Sequence, residues 1–434
     1  MRENARKHSN WAGNYEYQAA EIVVPSSVEE IQELVAHSSR VKALGSRHSF
    51  NGIADTKGTQ LSMDKLNRVI DMDERSGRVK VEGGIRYGEL CAYLDQRGYA
   101  LPNLASLPHI TVAGACATAT HGSGIRNGNL ATSVHALDLV TANGDKISIS
   151  RDDGDGMLQG AVVGLGSLGI VTAVTLEAIP AFRMSQTVYE GLALATLAGS
   201  LDEIFSAAYS VSLFTDWRQA GFNQVWLKRK EPDEGSEQSL AEPSFYGATR
   251  ATERKHPVPG LSADPCSEQL GIVGRWYERL PHFRMNFTPS AGEELQSEYF
   301  VPRAAAYDAL CAIERLRGQI APLLYVSEIR TIAADELWMS PCYGQDAVGI
   351  HFTWKPEQAA VSRLLPLIEE ALAPFRARPH WAKLHVMNPA LLRSLYEKLP
   401  DFQQLAARLD PNGKFRNAYT EKYLLGADSV GTGD

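Results

Sequence analysis

From Thr111 the chain runs Val-Ala-Gly114-Ala-Cys-Ala-Thr118-Ala119-Thr120-His121-Gly-Ser-Gly124, a stretch in which nearly every side chain is small. Small residues bounded by glycine let backbone amides approach an anion closely, as in phosphate nests; the plainer reading is a tightly packed turn. A second such loop, Ala43-Leu44-Gly45-Ser46-Arg47-His48-Ser49-Phe50, leaves a predicted strand at Val41-Lys-Ala-Leu44. Either loop alone reads as a packed turn, and His48 alone as a core or surface histidine. Two of them in one region of alternating strands and helices are harder to explain by packing.

A third glycine motif, Gly164-Leu-Gly166-Ser-Leu-Gly169, matches the dinucleotide fingerprint G-x-G-x-x-G. That fingerprint works only between a strand and a helix, whose N-terminus meets the pyrophosphate. Here Ile170-Val-Thr-Ala-Val-Thr-Leu176 follows, β-branched and strand-forming, so a Rossmann nicotinamide site is rejected.

Ser26 and Ser27 with Glu29 and Glu30 form a capping box that opens a helix. Strands are expected at Arg78-Val-Lys-Val81 and around residues 170–178, and a helix over 87–98. A hairpin is expected about Asn143-Gly144. After residue 185 the pattern becomes helical over 192–208, with strands at 211–217, 224–229, 295–302 and 347–354. Helices are expected at 303–320 and 357–372. Residues 231–263 read as a long surface excursion and 395–423 as helix and turn. The tail from about 427 is expected to be disordered.

A chain of 434 residues is long enough for two or three domains and an enclosed site. Its net charge of −8, with no basic block interleaved with aromatics, argues against nucleic acid as a partner. No apolar run reaches membrane-spanning length, and the start lacks a secretory core. The odd set Cys91, Cys116, Cys266, Cys311 and Cys342 fits neither a disulfide framework nor a zinc site, which suits the cytoplasm. His380 and His385 lack a third ligand, so no metal is expected. Nothing marks an oligomer interface; a monomer is the default.

The turn His48-Ser49-Phe50, the run Asn103-Leu-Ala-Ser106-Leu-Pro-His-Ile-Thr111-Val-Ala-Gly114, and Ala119-Thr120-His121-Gly-Ser-Gly-Ile-Arg-Asn-Gly128 resemble the vanillyl-alcohol-oxidase-type flavoproteins. More narrowly they resemble the alditol oxidases, which include enzymes called xylitol and sorbitol oxidases. The resemblance runs from Asn10-Trp-Ala-Gly13 to Asp410-Pro-Asn-Gly-Lys-Phe415 and includes Ser327-Glu-Ile-Arg330 and His380-Trp-Ala-Lys383. It implies an α+β, two-domain fold with a PCMH-type FAD-binding domain over 1–185 and a substrate (cap) domain over 186–375. Residues 376–434 would return to the first domain.

The resemblance further implies FAD held covalently through an 8α-histidyl bond from His48. Ala43, Leu44, Gly45, Ser46, Arg47 and Ser49 would wrap it. Ser106, Thr111, Gly114, Thr118, Ala119, Thr120 and His121 would supply a second set of contacts, with Ile170 at the adenine end and His380 reaching in from the other domain. Many relatives have glycine where this chain has Arg47, whose side chain must then point away. Ala105, beside Ser106, would lie where oxygen reaches the flavin. Ser106, Glu328, Arg330, Thr353 and Lys383 would contact the polyol, with His351 beside them. On a strand Glu328 and Arg330 share one face, which without the family would read as a structural ion pair. Arg330 and Lys383 would stabilise a developing alkoxide, and His351 and Lys383 are both possible bases.

The implied reaction oxidises the terminal primary hydroxyl of xylitol, sorbitol or glycerol to the aldehyde, with O2 reduced to H2O2. The competing readings are an aldonolactone oxidase or dehydrogenase of the gulonolactone type, a nicotinamide dehydrogenase and a non-catalytic flavin or sugar binder.

Overall fold

The computed structural model describes residues 8–231, 242–285, 287 and 293–426. The tail expected to be disordered from 427, and part of the 231–263 excursion, lie outside the described residues.

The local signals form as chemistry requires. Ser27 Oγ accepts from the Glu30 amide at 3.2 Å, and the Glu30 carboxylate accepts from the Ser26 amide at 2.7 Å. The two contacts cap the helix Val28–His37, which buries Ile31 and Val35. Val134–Val140 and Lys146–Ser150 pair antiparallel about Gly144, whose φ of +87° glycine adopts without strain.

Among the described residues, three sheets of three or more strands organise the chain, beside a two-stranded pair. Glu21–Val23, Thr59–Ser62 and Val41–Leu44 form a small parallel sheet. A five-stranded antiparallel sheet places Ile170–Glu177 between Arg78–Glu82 and Val134–Val140. Ile170–Glu177 is entered through the 164–169 loop after the short helix Met157–Ala161. No helix follows that loop, so the order that excluded a Rossmann site is the order observed. From Arg183 on, a ten-stranded sheet is built around the antiparallel neighbours Ser210–Thr215, Leu324–Ile332, Ala347–Trp354 and Leu295–Pro302. One of its faces carries Tyr299, Ile329 and Ile350 into a core shared with the helices Ala306–Glu314 and Gln358–Leu372. The helix Leu399–Leu409 packs Leu399, Phe402 and Leu405 into the same core as Val79, Leu137 and Val174.

Two expectations are corrected. The helical reading of 192–208 begins too early: Arg183–Ala193 is a long strand paired with Gly221–Lys230, and the helix is Leu197–Ser206. Long-range pairing overrides the local helical pattern here. The described part of 231–263 is no mere surface excursion. Ser244–Phe245 and Ala248–Arg250 extend the large sheet, and Ala248 and Ala251 are buried.

Candidate active site

A cavity of about 590 Å³ runs between the glycine loops and the face of the large sheet opposite its helices. Its size falls within the roughly 300–1,000 Å³ of typical small-molecule and cofactor sites. The two ends of its wall differ in chemistry.

The first end comes from the loops 43–50 and 105–121 and from 164–171. The loops interlock through Thr111: its amide donates to Ser46 Oγ at 3.3 Å, and a Cβ at Gly45 would lie 2.5 Å from Thr111 Oγ1. Only glycine fits such an approach. Arg47 sits at φ +64° and Ala119 at +54°, left-handed conformations that cost a side-chain-bearing residue and are stored at working loops. That geometry explains why glycine suits the position of Arg47. The His48 ring lies between Trp11, 4.8 Å away, and His109, 4.4 Å away. Burial, with the charge of Arg86 and the His109 ring nearby, pushes His48 down to about 3, which keeps it neutral with a nitrogen lone pair available. Both ring nitrogens of His109 are enclosed and unpartnered. Among the described residues, the lining residues from Trp11 to Val174 include Lys42, Arg47, His48 and His121 and no aspartate or glutamate, although His121 meets Glu298 of the other end.

The second end is acidic and ordered by sheet register. Glu298 and Glu328 both stand opposite His351, on the strands either side of it, so the three align in one row across the sheet. In the next row Arg330 stands opposite Gly349. A Cβ at Gly349 would lie 3.1 Å from Glu298 Oε1; its absence leaves room for Arg330 to reach across and donate to that oxygen at 3.0 Å. Lys383 Nζ donates to Glu298 Oε2 at 2.5 Å and to His351 Nδ1 at 2.9 Å. With Nδ1 accepting, neutral His351 carries its proton on Nε2 and donates it to Thr353 Oγ1 at 3.0 Å. His121 Nδ1 donates to the Gly122 carbonyl at 2.9 Å, and its Nε2 faces Glu298 Oε1 at 3.1 Å. Glu328 accepts from His282 Nε2 at 2.6 Å.

The charges balance: Glu298 and Glu328 against Arg330 and Lys383. Burial alone would raise both carboxyls. The charges of Lys383 and Arg330 and the His121 contact hold Glu298 well below the usual range, and Arg330 and His282 do the same for Glu328. Burial and the adjacent lysine push His351 down to about 4. Lys383 is lowered by burial, a shift that Glu298 opposes.

The segment 380–384 ties the two ends together. Its Leu384 amide donates to the Gln296 carbonyl at 2.9 Å, while the Phe50 amide donates to the Ala382 carbonyl at 2.7 Å and Asn51 Nδ2 to the Lys383 carbonyl at 2.9 Å.

Of the residues singled out in the sequence, Ala43, Leu44, Gly45, Ser46, Arg47, His48, Ser49, Ser106, Thr111, Gly114, Thr118, Thr120, His121 and His380 line this cavity. So do Glu328, Arg330, His351, Thr353 and Lys383. Ala119 and Ile170 do not; their side chains are buried in neighbouring cores. The sequence reading missed Glu298, His282 and Lys42, and the mouth formed by His256, Pro257, Val258 and Leu261. A signal for Glu298 was present: a lone acid amid Tyr299-Phe-Val301 in a predicted strand, where burial demands a partner.

A bound FAD fits these residues. A dianionic diphosphate suits the acid-free end, where glycine and small side chains leave the backbone approachable, and the neutral His48 ring opens onto the same space. His48 and the loops at 43–49 and 111–121 would hold it.

Comparisons with known proteins agree. Residues 19–150 match the family model described as FAD binding domain, and residues 289–423 match that of D-arabinono-1,4-lactone oxidase. The chain is 48% identical to an alditol oxidase of a Streptomyces species over 96% of this chain and 99% of that one. It is 31% identical to L-gulono-1,4-lactone dehydrogenase of Mycobacterium tuberculosis, over 96% and 98% of the two chains. In fold it is similar to cholesterol oxidase from B. sterolicum, with a TM-score of 0.77 at 14% identity over 96% of each chain. That likeness concerns the fold alone and agrees with the α+β fold expected from the sequence. Among the described residues no helix is long and apolar enough to cross a membrane.

Proposed function

Because the chain belongs to the alditol oxidase family of FAD-dependent oxidoreductases, we propose that it oxidises the terminal primary hydroxyl of alditols such as xylitol and sorbitol. The observation that carries this reading is one cavity joining an acid-free end suited to FAD with a polar cluster of Glu328, Arg330, Thr353 and Lys383. A polyol needs several fixed donors and acceptors, and the sheet face supplies both. The chemistry FAD supplies when bound is two-electron oxidation of the carbinol carbon, with O2 as final acceptor and H2O2 as product.

The chain's own residues position and polarise. Glu328, Thr353 and Ser106 hold the hydroxyls along the polyol. Arg330 and Lys383 face the reacting hydroxyl and stabilise the alkoxide that develops as its proton leaves. Lys383 Nζ is engaged by Glu298 Oε2 and His351 Nδ1, and His351 Nδ1 is occupied by that same contact. Neither therefore presents a free lone pair to the substrate in this arrangement, so their role is electrostatic. The division of labour largely follows the chain, with cofactor contacts mainly before about residue 185, substrate contacts mainly between 186 and 375, and His380 and Lys383 added from the segment 376–434.

The test is peroxide release from purified protein given xylitol, sorbitol, glycerol and an aldonolactone separately. Release with the polyols and none with the lactone is expected. Release with the lactone alone would move the assignment to a lactone oxidase, the reading favoured by the family match over 289–423.

We also assign His48 as the flavin attachment point. After acid precipitation the yellow colour should stay with the wild-type protein and pass to the supernatant for His48→Ala. Free flavin from the wild type, or retained flavin in the variant, would remove this assignment.

A further inference from the structure

Among the described residues two lysines are almost completely enclosed, each with 1% relative exposure: Lys42 and Lys228. Lys228 is satisfied internally, since its ammonium donates to the carbonyls of Arg279, Leu280 and Pro281 at 2.7, 2.7 and 2.9 Å. Three N–H groups meet three acceptors, and the charge rests against aligned carbonyl dipoles. Lys42 is different. It donates to the Gly166 carbonyl at 3.0 Å and, at the limit of hydrogen bonding, to that of Leu165 at 3.5 Å. Among the described residues no carboxylate lies within ion-pair distance of it, and Asp410 acts only from further away. An isolated ammonium in a dry interior costs several kcal/mol unless a counter-charge meets it.

Lys42 also lies in the wall of the cavity, at the end that has no acidic residue. It belongs to the strand Val41–Leu44, which feeds the His48 loop, and its two acceptors belong to the loop 164–169. The side chain thus spans two loops of the cofactor end with one N–H left over.

We propose that Lys42 is a cofactor-binding residue whose ammonium is the buried counter-charge for the diphosphate of the bound dinucleotide. The proposal rests on the FAD reading above. It explains why a cation is buried here with no protein anion in contact: the bound cofactor brings two negative charges. It also separates the roles of the two buried lysines, one closing a turn of the chain and the other reading a ligand.

The experiment uses the His48→Ala holoenzyme, in which flavin is held without a covalent bond, and reads displacement of FAD by flavin fluorescence. ADP and adenosine serve as competitors, differing only in the diphosphate. ADP should compete at least tenfold better than adenosine. Adding Lys42→Met should erase that preference, and adding Lys42→Arg should preserve most of it. A lysine that only staples loops would weaken both competitors together, so an unchanged ADP-to-adenosine ratio in Lys42→Met overturns the proposal.

Should Lys42→Met fail to fold, the His48→Ala protein carries the test alone. Burial pushes Lys42 down to about 7, so with ADP-ribose as the competitor, whose diphosphate diester does not titrate in this range, the preference over adenosine should fall as the pH rises past that value. A preference that does not change with pH overturns the proposal. A wild-type protein colourless from the outset refutes the FAD reading itself, which distinguishes the two failures.

Discussion

Lys383→Ala is expected to lower turnover by about two to three orders of magnitude, the usual cost of removing one donor aimed at developing negative charge, while the protein stays yellow. Lys383 Nζ stands in the polar end of the cavity, bonded to Glu298 Oε2 and His351 Nδ1, whereas His48 and the glycine loops lie at the other end. Alanine would remove the positive charge proposed to face the reacting hydroxyl and would leave Glu298 with Arg330 as its remaining cationic partner. It would also free His351 Nδ1, so that ring could change tautomer and release Thr353. Arg330→Ala should behave alike, because that guanidinium bridges Glu298 and Glu328. The measurements are steady-state peroxide formation with saturating xylitol and the flavin absorbance of the same sample. Full turnover in either variant would sink the assignment. Loss of flavin together with loss of turnover would show that the residue supports the cofactor instead.

Glu298→Ala should produce the largest loss of stability. The side chain is completely enclosed and faces Lys383, Arg330 and His121. Removing one partner of a buried ionic cluster costs about 3–5 kcal/mol, because the remaining charges stay buried without compensation. Replacing the exposed Glu357 by alanine should change stability by no more than about 0.5 kcal/mol. Thermal unfolding of the two variants beside the wild type makes the comparison, and a Glu298→Ala protein as stable as Glu357→Ala would contradict the ion-cluster account.

The pH dependence of that difference has a definite sign. The Glu298 carboxyl is held well below its ordinary value in the folded chain. Its contribution is therefore fully present above the ordinary glutamate range and fades only as the pH falls towards the depressed folded value. The gap between wild type and Glu298→Ala should be wide at neutral pH and narrow in acid.

Much of the cofactor end was legible before any tertiary contact was known, because its determinants are local. The serine–glutamate cap at Ser27 and the Asn143-Gly144 turn act over a few residues. So do the strand-to-loop passage at Leu44-Gly45 and the β-branched run after Gly169. Period-two placement of Glu328 and Arg330 on one strand face was likewise readable. The 231–263 segment misled because its Pro, Ser and Glu content describes a polar chain equally well over bare solvent or over a cavity mouth. The strand at Arg183–Ala193 was hidden because its partner, Gly221–Lys230, lies well along the chain.

The sequence by itself thus determined the family, the two glycine-rich loops that line the cavity, the absence of Rossmann order and most residue types of the site. Only the tertiary structure decided that Glu298 is the hub. Its partners His121, Arg330, His351 and Lys383 come from four separate segments, and three neighbouring strands must adopt one register before Glu298, His351 and Glu328 align. Spacing along a chain carries no record of which distant strands will pair. It likewise could not show that Lys42 ends in the part of the cavity wall that carries no acidic residue, since burial is a property of everything packed around a side chain.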